Sequence, residues 1–206
     1  MRKFNFVIGV VLFLISVSFG QNMPTDETQN TNQIKMQYRH SIATSAFIPV
    51  SLFSSEPADY FLINYGYMLS EKSKLFIESY TWKYNEPLGT YGYSKKFYPG
   101  KVRAWGIGAG YQRFLWKNLF STVEITPMLK QYYDEDDKKT QKGFQLYCQL
   151  ILGYKFEFGK NRWFIEPAMA FKYWPIDTNY PDDFAEIEDG KPVYNFEPSL
   201  IVGFNF

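Results

Sequence analysis

Apolar and polar positions alternate along most of this chain, and the clearest stretch is the last, Val193 to Phe206. Tyr194, Phe196, Pro198, Leu200, Val202, Phe204 and Phe206 are apolar or aromatic. Asn195, Glu197, Ser199, Gly203 and Asn205 between them are polar or small, and only Ile201 breaks the set. Successive side chains of a strand point to opposite faces, so a period of two predicts a strand with one apolar and one wet face. The same pattern predicts strands over Met36–Ile48, Tyr60–Leu69, Lys74–Tyr84, Val102–Leu115, Asn118–Tyr133, Gly143–Phe158 and Arg162–Trp174. Gly143–Phe158 alternates most regularly, with Phe144, Leu146, Cys148, Leu150, Leu152, Tyr154, Phe156 and Phe158 on one face.

Connections take turns in length. Ser70–Ser73, Trp116–Lys117 and Gly159–Asn161 are short, while Pro49–Asp59, Asn85–Lys101, Asp134–Lys142 and Pro175–Pro192 are longer. On Val102–Leu115, Ala104, Gly106, Gly108, Gly110 and Gln112 share a face opposite Trp105, Ile107, Ala109 and Tyr111. Glycines and charges on one face against long aliphatics on the other predict a polar inside and an apolar outside, the reverse of a water-borne barrel. The fold class expected is all-β: a closed antiparallel up-and-down transmembrane β-barrel of eight strands, since lipid leaves a sheet no unpaired edge. Pro127, Pro167 and Pro198 fall inside these strands on the outward face and predict bulges, because proline removes a ladder donor.

The amino terminus reads differently. Arg2 and Lys3 precede an apolar run from Phe6 to Val17, and Ser18 and Gly20 are small. This predicts a signal peptide over 1–20, cleaved after Gly20, with a run too short to span as a helix. Gln21 rather than Cys follows, which argues against a lipid anchor. Residues 21–33 are polar and aperiodic, a flexible leader, and 34–206 is the expected barrel domain. Mean hydropathy of -0.31 excludes a helical membrane protein and suits a barrel, where alternate residues alone need be apolar. The 22 basic and 21 acidic residues exclude a strongly basic nucleic-acid binder. A single cysteine, Cys148, excludes an internal disulfide.

The inward face carries an interior charge network: Glu78, Glu124, Lys130, Lys155, Glu166, Lys172 and Glu197. Lys130 and Lys172 lie six residues along their strands from Glu124 and Glu166, too far to pair with them, so pairing across strands or with loop residues is expected, with a plugged lumen. Gln112, Tyr132, Gln145, Tyr147 and Gln149 share that face. Paired carboxylates permit acid–base work, but no residue among them stands out, and a non-enzyme is expected. His40, the only histidine, sits at a strand start with Ser41 turned to the other face. The runs Asp134–Asp137 and Asp177, Asp182, Asp183, Glu186, Glu188 and Asp189 lack calcium-loop spacing, and read as solvated loop acids. A loop around Tyr91, Gly92, Tyr93, Lys95 and Lys96 is a weaker candidate for a ligand or partner contact. No metal and no cofactor is expected.

The signal segment, the alternating connection lengths and the ending Leu200-Ile201-Val202-Gly203-Phe204-Asn205-Phe206 resemble the small eight-stranded outer-membrane β-barrels of Gram-negative bacteria. These include the OmpA membrane domain, OmpX and the porin-like barrels of Bacteroidota. The resemblance implies a location in the bacterial outer membrane, with Leu200, Val202, Phe204 and Phe206 as the assembly signal. It also implies outer-membrane lipids, lipopolysaccharide and the barrel assembly machinery as partners. The chain departs from the full OmpA arrangement in having no peptidoglycan-binding domain after the barrel. The function expected is a structural or surface-interaction protein working through external loops, the alternative being a small-solute channel or a lipid-modifying enzyme.

Overall fold

The computed structural model describes residues 37–48, 59–86, 88 and 96–206. The expected signal peptide and leader, residues 49–58 and Tyr91, Gly92, Tyr93 and Lys95 lie outside the described residues. Residues Tyr38–Phe206 belong to one unit.

Nine strands appear among the described residues: β1 His40–Ser45, β2 Tyr60–Ser70, β3 Ser73–Tyr84, β4 Lys101–Trp116, β5 Leu119–Tyr133, β6 Lys139–Tyr154, β7 Phe156–Phe158, β8 Trp163–Thr178 and β9 Tyr194–Asn205. A short helix, α1, spans Asp182–Glu188 between β8 and β9. The strands run β6-β5-β4-β3-β2-β1-β9-β8-β7 in one antiparallel sheet, and β6 also pairs with β8. That last pairing brings the two sides of the sheet together, so it closes. No helix among the described residues is long and apolar enough to cross a membrane.

The prolines shape this sheet. Pairing of β6 with β8 stops at Gly153↔Ala168, and β7 resumes in the same register at Phe156↔Ile165. The gap sets Tyr154 opposite Pro167, which has no N–H for the ladder. The expected single strand Gly143–Phe158 is therefore two, and the expected count of eight becomes nine. Pro127 acts similarly: β4 and β5 pair at Gly106↔Met128 and again at Ala109↔Ile125, in one register, with a gap at Thr126 and Pro127. Pro198 pairs with Met169 of β8, while β1 has already ended on its other side at Ser45↔Ile201. None of the three needs the bulge expected of it.

The bulge sits elsewhere. Leu146 pairs with Ile176, but Cys148 pairs with Tyr173, so β8 carries one extra residue at Trp174 and Pro175. A bulge absorbs a residue and reverses which parity faces inward. β8 thereby continues through Pro175 to Thr178, where a loop was expected, and Asp177 turns inward. β6 likewise starts at Lys139, inside the expected loop Asp134–Lys142.

The two faces differ sharply. Ile107, Leu129 and Phe196 on the outside are 66%, 65% and 64% exposed, whereas Met128, Lys130 and Tyr132 inside are fully buried. Three inward glycines of β4 give the interior its room. A Cβ on Gly110 would lie 2.1 Å from the Phe76 ring, and one on Gly106 would lie 2.7 Å from Thr126 Cγ2.

Candidate functional site

The interior side chains form three tiers along the sheet. At the end of the short turns, Lys74 Nζ lies 3.8 Å from Glu166 Oε1, and Gln112 Nε2 donates to the same oxygen at 3.4 Å. Lys155 Nζ sits 2.8 Å from Glu157 Oε1 and 4.5 Å from the centre of the Phe164 ring. Burial lowers the Lys74 pKa, and Glu166 opposes the shift. Phe120, Phe164 and Gln112 are almost wholly buried in this tier.

At the opposite end α1 folds over the sheet. Asp182 and Asp183 occupy its first turn, favourable beside the positive end of the helix dipole. Phe184 and Ile187, three residues apart, share the buried face. Phe184 meets Tyr132 edge-on at 5.4 Å and Tyr98 at 5.6 Å. Beneath them Lys130 forms an ion pair with Asp177, and Gln145 Nε2 donates to Asp177 Oδ2 at 2.8 Å. Lys130 Nζ also lies 4.7 Å from the centre of the Tyr180 ring. Burial pushes the Lys130 pKa down and that of Asp177 up, and each partner opposes the other's shift. Burial, then Asp177, raises the Glu188 carboxyl to about 7.

The central tier is acidic. Glu78 of β3 and Glu124 of β5 reach across Gly108 of β4, where a Cβ would come within 2.9 Å of Glu124 Oε1. Asn64 Nδ2 donates to Glu78 Oε2 at 3.1 Å. Gln149 Nε2 donates to Glu124 Oε2 at 3.1 Å and Thr126 Oγ1 to Glu124 Oε1 at 2.8 Å. Burial, reinforced by Glu124, raises Glu78 to about 8. Burial raises Glu124 to about 7, against the hydrogen bond from Thr126. Lys172 of β8 pairs with Glu197 of β9, and burial lowers it to about 8 against the pull of Glu124 and Glu78.

A cavity of about 630 Å³ lies within the sheet around this tier. Aromatic rings form one wall. Tyr80 and Trp82 stack with centroids 5.1 Å apart at 8°, and Tyr147 and Trp174 stack at 6.2 Å and 9°. Trp82 meets Tyr147 edge-on at 5.8 Å. Trp174 is 2% exposed, yet its Nε1 has no hydrogen-bond partner, and neither has Gln112 Oε1. The expected plug is thus corrected: the interior is close-packed beneath α1, but a hollow runs from the aromatic wall to Lys74, Gln112, Phe120 and Glu166 near the short turns.

All seven residues of the expected charge network face the interior side of the sheet, but they do not join into one network. Lys172 meets Glu197 on the adjacent strand, whereas Lys130 finds Asp177, expected to be a solvated loop acid, and Lys155 finds Glu157, two residues along its own chain. Lys74 and Asp177 are functional neighbours that the sequence reading missed. Lys74 shares strand parity with Glu78 and was legible from that alone; Asp177 was hidden by the bulge. His40 Nδ1 lies 2.7 Å from Tyr65 Oη, and its ring stacks on Phe206 at 5.7 Å, away from the cavity. In the Asp134–Asp137 run, Asp134 Oδ1 accepts from the Asp136 and Lys138 amides, and Asp137 pairs with Lys101. No group of three or more metal-ligating side chains is assembled among the described residues.

No protein-family model matches the chain, and no curated protein or solved structure does either. The resemblance to the OmpA, OmpX and Bacteroidota porin-like barrels is therefore not upheld. What was carried over from it is corrected with it: the eight-stranded transmembrane class, the outer-membrane location, and the lipid, lipopolysaccharide and assembly-machinery partners. Leu200, Val202 and Phe204 form an outward row of β9, with Phe204 edge-on to Trp163 at 4.9 Å, and Phe206 follows the strand's last residue. The structural-or-channel function inferred from that family is withdrawn too. What stands is a closed, mostly-β unit with a buried network of ion pairs and polar groups around a cavity.

Proposed function

We propose that the closed sheet is a container for a small molecule, bound in the central cavity without chemical change. The observation that carries this reading is the hollow itself. Its volume of about 630 Å³ falls in the range of small-molecule sites, roughly 300–1,000 Å³. Its lining has the composition of such sites, with broad aromatic area and a few convergent polar groups. Two of those groups, Trp174 Nε1 and Gln112 Oε1, are buried without a partner. A buried polar atom left unsatisfied costs about 1–3 kcal/mol.

The test is a thermal-shift screen of small polar and aromatic compounds, run in parallel on the native chain and on Ala43→Phe. Ala43 lines the cavity and is 6% exposed, so phenylalanine there fills part of it while removing no charged group. Compounds that raise the native Tm and leave the variant unmoved support the reading. Hits that shift both proteins equally, or no hits at all, refute it.

A further inference from the structure

Three lysines line the cavity, Lys74, Lys83 and Lys172, and they are not alike. Lys83 is exposed and sits 3.0 Å from Asp59. Lys172 pairs with Glu197, and Glu124 and Glu78 both favour its ammonium. Lys74 is only 5% exposed, and its Nζ lies 3.8 Å from Glu166 Oε1, a loose ion pair. A second base crowds it: Lys74 Nζ and Lys155 Nζ lie 5.8 Å and 4.5 Å from the centre of one ring, that of Phe164. Lys155 has Glu157 at 2.8 Å, so Glu166 is left to Lys74 and Gln112. Burial lowers the Lys74 pKa; Glu166 opposes the shift and Lys155 adds to it. A lysine desolvated beside another cation gives up its proton, and the free amine is a nucleophile toward carbonyl carbon. Gln112 is the second mark of a site. It pairs with Lys74 across β3 and β4, its Nε2 donates to the same Glu166 oxygen, and its Oε1 is buried without a partner. Phe76, Phe120, Ile151 and Ala168 give the same cavity apolar lining.

We propose that the ligand is an aldehyde or ketone on an apolar body, held in the cavity as an imine of Lys74 Nζ. This rests on the container reading above and names its ligand class. An anion drawn to Lys74 would meet Asp59, Glu78, Glu124, Glu166 and Glu197, which also line the hollow. A carbonyl compound brings no charge into it.

Lys74 first gives one ammonium proton to Glu166. Its free amine then adds to the carbonyl carbon: a C–N bond forms, and the carbonyl π pair moves to oxygen. That oxygen takes a second proton from the nitrogen, then the proton held by Glu166, and leaves as water when the C–O bond breaks. The protonated imine carries the charge that the ammonium had, so the ion pair with Glu166 survives. Gln112 Oε1 is an acceptor for its one N–H. Addition of water reverses every step and returns the ligand unchanged.

The experiment treats the full chain at pH 7 with hexanal and sodium cyanoborohydride, which reduces an imine to a stable secondary amine. Peptide mass spectrometry then locates the added hexyl groups. At pH 7 an ordinary lysine is almost all ammonium, so Lys74 is expected to gain the group at least about tenfold faster than exposed Lys160. Lys172 is expected to stay nearly unlabelled. In Ala43→Phe the labelling of Lys74 falls while that of Lys160 is unchanged. A second arm uses hexanol, the same body without the carbonyl, in thermal shift. Hexanol raises the Tm of the native chain and of Lys74→Arg alike, whereas hexanal adds a further rise in the native chain alone. Labelling spread evenly over exposed lysines, or centred on Lys172, overturns the Lys74 assignment whatever hexanol does. The hexanol arm, read against Ala43→Phe, decides separately whether the cavity takes a ligand at all.

Discussion

Lys130 and Asp177 meet as opposite charges under α1, while Glu78 and Glu124 meet as like charges over Gly108, and both pairs are buried in the same closed sheet. Under α1 the neighbours are Tyr132, Phe184 and Tyr180, packed on the pair with no room left. Over Gly108 the neighbours are amides, a hydroxyl and a cavity. The first pair neutralises itself and needs nothing from outside. The second is neutralised only by a proton taken from solvent. Burial of charge is tolerated in both places, but by means that respond oppositely to solution conditions.

The largest expected effect breaks the self-neutralised pair. Lys130→Met leaves Asp177 buried without its base, and about 3–5 kcal/mol of stability should be lost. Urea denaturation at pH 7 reads this as a fall in midpoint. Adding Asp177→Leu to the same chain should recover most of the loss, because an apolar pair of similar volume replaces the ion pair. A double variant as weak as the single one would show that Lys130 is held by its ring contacts and not by Asp177.

The next effect belongs to the carboxyl pair and depends on pH. Glu78 is raised from 4.5 to about 8, so between those values the folded protein binds a proton that the unfolded chain releases. Stability from this group is complete below pH 4.5 and is lost as pH rises through about 8. Lys172 acts in another window: lowered from 10.5 to about 8, it costs stability below pH 8, and the cost is relieved between pH 8 and 10.5. Glu78→Gln removes the first slope. It should match the native chain at pH 4 and exceed it by about 2 kcal/mol at pH 8. Melting temperatures across pH 4–8 that run parallel for the two proteins would break the contrast with Lys130.

A smaller effect concerns the floor of the same pair. A Cβ at Gly108 would lie 2.1 Å from Thr126 Oγ1 and 2.9 Å from Glu124 Oε1. Glu124 Oε1 ends a flexible side chain and can retreat, but Thr126 is β-branched and fully buried with its Cβ 3.1 Å away, so Gly108→Ala should cost about 1–3 kcal/mol as Thr126 rotates. It should also disturb the hydrogen bond from Thr126 to Glu124, moving the pH midpoint of the stability curve as well as its height. A uniform loss at every pH would mean the glycine serves backbone packing alone.

Much of this was legible in the sequence because a strand reports its two faces directly. Glu78, Glu124, Lys130, Glu166 and Lys172 were placed on the inward side by parity alone. Parity fails where the count slips. The extra residue at Trp174 and Pro175 reversed the facing of Asp177, and a loop acid became the buried partner of Lys130. Pro167 marked a break that alternation ran straight through, because an interruption without a register shift leaves no trace in the pattern. The cavity was illegible for another reason. The space left by Gly106, Gly108 and Gly110 is already covered by Phe76, Thr126, Met128 and Glu124, so the hollow lies where no glycine marks it. A list of long polar residues suggested filling; only their reach decides whether they fill.

The outward rows of Ile77, Ile107, Leu129 and Phe196 carry a practical consequence for work at the bench. Apolar area left in water costs about 25 cal/mol per Å², and a contiguous exposed patch beyond a few hundred Å² draws apolar company. In plain buffer, association of two copies through these rows would lower that cost. The sedimentation profile of the purified chain should therefore depend on concentration and collapse to one slow species once a mild nonionic amphiphile is added. The binding measurements described above are best done on that species, so that association is not mistaken for filling of the cavity.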